Sequence, residues 1–242
     1  MSTTAVILAA GKGTRMGGDK AKVLYEVSGK PMVQHVIETC RSIGVDQCVV
    51  VVGHQREAVE AAVRAADVDC VVQDQQLGTG HAVLVTEKAV KGEIVIVLCG
   101  DAPLVPADLL RELDERHALE DNACTAVGAR MPDPTGYGRM LTDDEGRLVG
   151  IVEQKDATDE QLQIDLINSG IYAFDREQLF RCLHAVRPNN AQGEYYLTDV
   201  PKLLVQEGAR VGLVVTDDPG AVLGVNTPEH LAEAERLYAS RR

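Results

Sequence analysis

Residues 6–22 read VILAAGKGTRMGGDKAK, and no other run in the chain gathers as many groups able to do chemistry. The apolar, β-branched stretch over 5–10 predicts a buried strand. It breaks into glycine at 11, 13, 17 and 18. There backbone N–H groups can approach a ligand with no Cβ in the way. Lys12, Arg15, Lys20 and Lys22 add positive charge. Bare N–H groups and cations after a strand suit a polyphosphate. Two familiar phosphate loops are excluded. A dinucleotide fingerprint needs glycine where Met16 stands, and a P-loop needs Gly-Lys-Ser/Thr where Gly18-Asp19-Lys20 stands. The less favoured reading of the run by itself is a glycine-rich turn with solvated lysines.

Asp101 follows the apolar run 94–98 and is flanked by Gly100. A carboxylate so placed is a candidate ligand for a hard cation. The alternative, a cap for the next helix, is disfavoured because Pro106 and Asp108 lie too far on. Asn226 ends another apolar run before Thr227-Pro228 and alone reads as a turn or cap residue. Glu153 closes the run 148–153 and could face a cleft, whereas Lys155 and Asp156 read as solvated. Asn168-Ser169-Gly170 interrupts the run 164–174, which suggests a bulge or a close ligand. Gly136-Tyr137-Gly138-Arg139 suggests the same of its turn. The six histidines show no metal-ligand spacing, and no serine sits in a nucleophile elbow.

These residues need elements to hold them. Helical spacing covers 32–43, opened by Pro31 and closed by Gly44. Strands are expected at 47–52, 69–72 and 94–98, with helices at 55–66, 79–89 and 106–117. Strands apolar on both faces and alternating with helices predict a parallel sheet covered on both sides. Ligands in such sheets bind at the carboxyl ends of the strands, where Gly11, Gln73 and Asp101 all fall. After about residue 121 the pattern becomes more antiparallel, with strand-like runs at 123–129, 139–142, 148–153 and 164–174. Helices at 176–185 and 196–207, a strand at 211–216 and a helix at 228–240 complete the chain. The expected organisation is one α/β domain over 1–242. Residues 1–120 form the parallel half, 121–226 the more antiparallel half and 227–242 a terminal helix.

At 242 residues and 45% hydrophobic content, the chain can bury a core. No apolar run approaches the ~20 residues of a membrane span, and there is no signal-peptide start. A cytoplasmic protein with no membrane partner is expected. Its six cysteines form no C-x-x-C pair, so they are expected as reduced thiols, with Cys40, Cys48, Cys70 and Cys99 buried. A net charge of −13 argues against nucleic acid. Residues 1–22 nevertheless carry four cations and one anion, a local positive mouth suited to a small anion.

Taken in order, the motifs carry a resemblance. Leu8 to Met16 with Lys22 is similar to the signature of sugar-phosphate nucleotidyltransferases. QLGTGHA at 76–82, GDAPL at 100–104, GYGR at 136–139, EQKDA at 153–157, NSG at 168–170, NAQGEYYLTD at 190–199 and GVN at 224–226 narrow it. The whole chain resembles the N-terminal uridylyltransferase domain of the bifunctional N-acetylglucosamine-1-phosphate uridylyltransferase/glucosamine-1-phosphate acetyltransferase family. The resemblance implies a Rossmann-like nucleotidyltransferase fold with a mostly parallel mixed sheet flanked by helices, in which 1–120 is the nucleotide-binding half and 121–226 a more antiparallel sugar-binding half. It implies that Leu8, Ala10, Gly11, Gly13, Gln73, Gly78 and Thr79 bind the nucleotide, and that Arg15 and Lys22 act on the phosphates. Gly138, Glu153, Asn168 and Ser169 would hold the sugar, and Asp101 and Asn226 would ligate Mg²⁺. The substrates implied are UTP and N-acetylglucosamine 1-phosphate, giving UDP-N-acetylglucosamine, a peptidoglycan precursor, and pyrophosphate.

The sequence departs from the family at Cys99, where the family often has tyrosine close to the sugar, and in the loop Gly17 to Ala21, where a proline commonly precedes the lysine. The hexapeptide repeats of the acetyltransferase part are absent, so no acetyl-CoA is expected, and without the trimer contacts a monomer is expected. A nucleotidyltransferase for another hexose 1-phosphate, or a non-catalytic nucleotide-sugar sensor, remains the alternative. Cys99, beside Asp101, predicts sensitivity to thiol reagents.

Overall fold

The computed structural model describes residues 1–241. Its first half alternates strands and helices: β1 (Thr3–Leu8), the small hairpin β2 (Glu26–Val27) and β3 (Lys30–Pro31), α1 (Met32–Ser42), β4 (Gln47–Val52), α2 (Arg56–Val63), β5 (Asp69–Val72), α3 (Thr79–Leu84), β6 (Ile94–Cys99) and α4 (Ala107–Leu119). The second half comprises β7 (Cys124–Arg130), β8 (Arg139–Thr142), β9 (Leu148–Val152), α5 (Asp159–Leu162), β10 (Leu166–Asp175), α6 (Arg176–Ala185), α7 (Asp199–Gln206), β11 (Val211–Thr216) and α8 (Pro228–Ser240).

One sheet runs through both halves in the order β11-β7-β10-β6-β1-β4-β5, with β8 and β9 attached beside β10. The pairs β6–β1, β1–β4 and β4–β5 are parallel, and β10 runs antiparallel between β6 and β7. Alternation along the strands sorts the core. Ala5, Ile7, Val50, Val52, Ile96 and Leu98 meet α1, α2 and α4 on one face. Val6, Val49, Val51, Val95 and Val97 meet α3, α6 and α7 on the other. The chain leaves β1 toward β4 on one side and reaches β6 on the other, so a crevice opens past the carboxyl end of β1. No helix among the described residues is long and apolar enough to cross a membrane.

Differences from the sequence expectation have local causes. The helix expected over 79–89 ends at Leu84, because the Thr86 hydroxyl donates to Val83 O at 2.7 Å and the chain tightens into turns. The helix expected from 196 starts at Asp199, since the backbone of Tyr195 and Leu197 is tied to another loop. Gln55 is left-handed (φ 52), so α2 starts one residue later than expected. Cys70 is exposed rather than buried, because β5 is the outermost strand. The predicted interruption at Asn168-Ser169-Gly170 is a bulge between Asn168 and Ile171, with Gly170 at φ 76.

Buried His117 on α4 is expected to make the fold acid-sensitive. Its Nδ1 lies 3.1 Å from the Thr125 hydroxyl, and burial pushes its pKa from 6.5 down to about 4. The folded state keeps the ring neutral while the unfolded chain takes up a proton. Stability from this group is therefore full above pH 6.5 and is lost as pH falls toward 4, by about 3 kcal/mol. Denaturant titrations between pH 7 and 4.5 are expected to show a loss that the His117→Gln variant lacks. Equal losses in both proteins would contradict the assignment.

Candidate functional site

Three strand ends, the loop into α3 and the return loop after β11 build the site. β1 delivers Leu8, Ala10 and Gly11; β5 delivers Gln73; β6 delivers Cys99 and Asp101; and the loop into α3 delivers Gly78 and Thr79. With Gly13 and Lys22, these residues line one cleft of about 430 Å³. Leu8 and Cys99 are direct neighbours in the β1–β6 register, which sets the nucleotide loop and Asp101 side by side.

Charges converge at the mouth of the cleft. Lys22 Nζ pairs with the Asp101 carboxylate and donates to Asn226 Oδ1 at 2.9 Å. An Arg15 guanidinium N–H reaches the same Oδ1 at 3.0 Å. Asn226 Nδ2 donates to Gly224 O at 3.0 Å, which turns its oxygen toward the two cations. Val225 N donates to Asp101 O at 2.9 Å and pins the return loop to the end of β6. Neither polar residue caps a helix: α4 begins after Pro106, and Thr227 caps α8 by accepting from His230 N. The lysine and asparagine are 204 residues apart in sequence.

The glycines have identifiable reasons. A Cβ on Gly78 would lie 2.6 Å from Tyr195 O, and one on Gly80 would lie 2.9 Å from the same atom. Tyr195 N donates to Leu77 O, Gly80 N donates to Tyr195 O, and Leu197 N donates to the Thr79 hydroxyl. The 190–199 run therefore clamps the loop that carries Gly78 and Thr79, a role its sequence did not disclose.

Sequence reading also missed Gln55. Its Oε1 accepts from Ala21 N at 2.8 Å, and its Nε2 donates to Asp19 O. It staples the residues just before Lys22 to the end of β4. Its place just past a strand end, beside Gly53-His54, was the available signal.

The remaining candidates lie beyond Cys99, whose sulfur abuts Gly170. Asn168 donates its backbone N–H to Gly138 O at 2.9 Å, and its Oδ1 accepts from the Tyr172 hydroxyl at 2.9 Å. The Ser169 hydroxyl donates to Val127 O at 2.6 Å and accepts from Ile171 N, so it closes the bulge. Glu153 accepts from the Thr198 hydroxyl at 2.9 Å and opens on a separate cavity of about 310 Å³. Burial raises its pKa, Thr198 opposes the rise, and Asp156, Asp199 and Glu194 add to it.

The surroundings of Cys99 bear on its expected sensitivity to thiol reagents. Burial, with the Asp101 charge added, pushes its thiol up to about 12. The thiolate is the reactive form, so slow alkylation of Cys99 is expected despite its place in the cleft. Peptide mapping after brief treatment with a maleimide at pH 8 is expected to find Cys70 modified first and Cys99 still free. Early labelling of Cys99 would refute this.

Residues 5–163 match the MobA-like NTP transferase domain. The chain is 43% identical over 243 residues to the bifunctional protein GlmU of Syntrophomonas wolfei, covering all of this chain and 54% of that protein. It is 44% identical over 239 residues to GlmU of Desulfotalea psychrophila, covering 98% of this chain and 70% of that one. The chain spans about half the length of most of the bifunctional relatives it matches. In fold it superimposes on a UDP-glucose pyrophosphorylase complexed with UDP-glucose, with a TM-score of 0.80, 19% identity and full coverage of both chains. The chain belongs to the MobA-like NTP transferase family, as a nucleotidyltransferase that shares its sequence with the N-terminal part of the GlmU proteins.

Proposed function

We propose that the chain transfers a uridylyl group from UTP to N-acetylglucosamine 1-phosphate. The observation that carries this reading is the convergence of Arg15, Lys22, Asp101 and Asn226 at the mouth of a glycine-floored cleft. An oxygen of the sugar phosphate attacks the α-phosphorus of UTP. The bond from that phosphorus to the oxygen bridging to the β-phosphate breaks, and pyrophosphate leaves with the electron pair. A sugar phosphate carries about −1.5 to −2 charges near neutral pH, so it needs no base to make it nucleophilic. The barrier lies in bringing two polyanions together, and Lys22 and Arg15 lower it by alignment and charge stabilisation.

The donor set fits a hard divalent cation. One carboxylate and one amide oxygen already meet a single cationic group, Lys22 Nζ. Among the described residues no cluster of three or more His, Cys, Asp or Glu could hold an ion unaided. That suits Mg²⁺, which is held by one or two protein oxygens together with substrate phosphates. Asp101 and Asn226 would hold it, where it would draw charge from the phosphoryl oxygens. Gly138 and Asn168 would face the sugar, and Glu153 would reach it from the neighbouring cavity on which it opens.

The test is pyrophosphate release with UTP and Mg²⁺ across N-acetylglucosamine, glucose and N-acetylgalactosamine 1-phosphates. Release selective for the first supports the reading. Release selective for another sugar would move the substrate and keep the mechanism. Binding of UTP with no release for any sugar would overturn the reading in favour of a sensor.

A further inference from the structure

We infer that His81 is a positioning residue that fixes which face of the Gln73 amide meets the nucleobase. The inference rests on the reading that this cleft takes a uracil nucleotide. Gln73 follows β5, is 3% exposed and lines the cleft. A primary amide has two N–H donors and one carbonyl acceptor. Gln73 Nε2 donates to Gly78 O at 3.1 Å, and a backbone carbonyl can only accept. The same Nε2 lies 3.0 Å from His81 Nδ1. With one hydrogen on Gly78, the other points at His81. Nδ1 must then be the acceptor, and the ring proton sits on Nε2. Both donors of the amide are engaged within the protein, and Oε1 is the polar atom left for a ligand.

A base meeting Oε1 must offer a hydrogen. Uracil carries one on N3, whereas cytosine presents a lone pair there. A polar group left unmatched in a closed site lowers affinity for the wrong base. Gly78 alone holds the amide at one point and leaves it free to rock. His81, three residues further on in α3, supplies the second point.

The experiment compares kcat/KM for UTP and CTP in the wild-type protein, His81→Ala and His81→Asn. Asparagine offers an acceptor oxygen close to where Nδ1 stood. His81→Ala is expected to lower the UTP-to-CTP ratio about tenfold, and His81→Asn to keep it within about threefold of wild type. In parallel, NMR of the nucleotide-free proteins follows exchange of the two Gln73 side-chain N–H protons. Both are expected to be slow in wild type, with one fast in His81→Ala. A purely structural role for His81 would lower both rates together and leave the ratio unchanged, which would overturn the inference. Fast exchange of both protons in wild type would overturn it whatever the nucleotide. Wild-type protein that uses CTP as readily as UTP would instead overturn the uracil reading, while the exchange data still report on His81.

Discussion

Replacing Lys22 by alanine is expected to lower turnover by about 10²-fold or more, the usual loss when a donor to developing charge is removed. The fold should survive, because Lys22 sits at the cleft mouth and its ammonium lies outside the core. The substitution has a second, opposite consequence. The Lys22 ammonium holds both Asp101 and Asn226 Oδ1. An added divalent cation must compete with it for those oxygens. Without Lys22, Asp101 is a mostly buried carboxylate that has lost its ion-pair partner, and Mg²⁺ should bind the nucleotide-free protein more tightly. Binding to the folded state alone raises stability by RT ln(1 + [L]/Kd). The Mg²⁺-induced rise in Tm is therefore expected to be larger in Lys22→Ala than in wild type, although the variant is nearly inactive. Asp101→Ala should lose both turnover and the Mg²⁺ response. A Lys22→Ala protein with near-normal rates, or with the wild-type Mg²⁺ response, would remove the shared-oxygen account.

How much of this was legible in the sequence follows from how local each signal is. The strands of the first half were readable because their apolar runs end in Gly, Gln or Asp, and those ends became the cleft. Asp101 was readable for the same reason. Asn226 was not readable from chemistry alone. It looks like a turn residue until the return loop docks on β6 and its amide meets Lys22. Gln55 and Tyr195 were missed because their work is done by contacts 34 residues away for Gln55 and through backbone atoms for Tyr195. Ser169 illustrates the reverse case. Its position inside a strand flagged a bulge correctly, but the hydroxyl itself is engaged by Val127 and Ile171. Cys70 was misjudged because an apolar run does not tell a central strand from an edge strand.

The second large effect concerns how Lys22 is held. Gly13 has φ 60, and a Cβ built there would stand 2.5 Å from Lys22 Cβ. That atom belongs to the stem of the lysine, close to the backbone, so a swing of the flexible end cannot relieve the clash. Gly13→Ala is therefore expected to displace Lys22 and lower kcat by about 10²-fold, since small misplacements of a catalytic group cost that much. Left-handed backbone at alanine costs about 1 kcal/mol, so Tm should fall by only a few degrees. Gly11→Ala is the comparison. Nothing lies within 4 Å of a Cβ at Gly11, so the free protein and its Lys22 should be unchanged. What a methyl there would obstruct is the ligand, and the expected effect is on KM for UTP rather than on kcat. Gln55 gives an independent approach to the same lysine. Glycine suits φ 52 better than glutamine does, so Gln55→Gly should keep most of its stability while losing the bonds to Asp19 and Ala21 and part of kcat. Gln55→Asn tolerates the same backbone but is one methylene too short to reach, and it should show the same kcat defect. If Gly13→Ala retained wild-type kcat, Lys22 would not be held in register by the glycine loop. If both Gln55 variants retained it, the staple would serve folding alone.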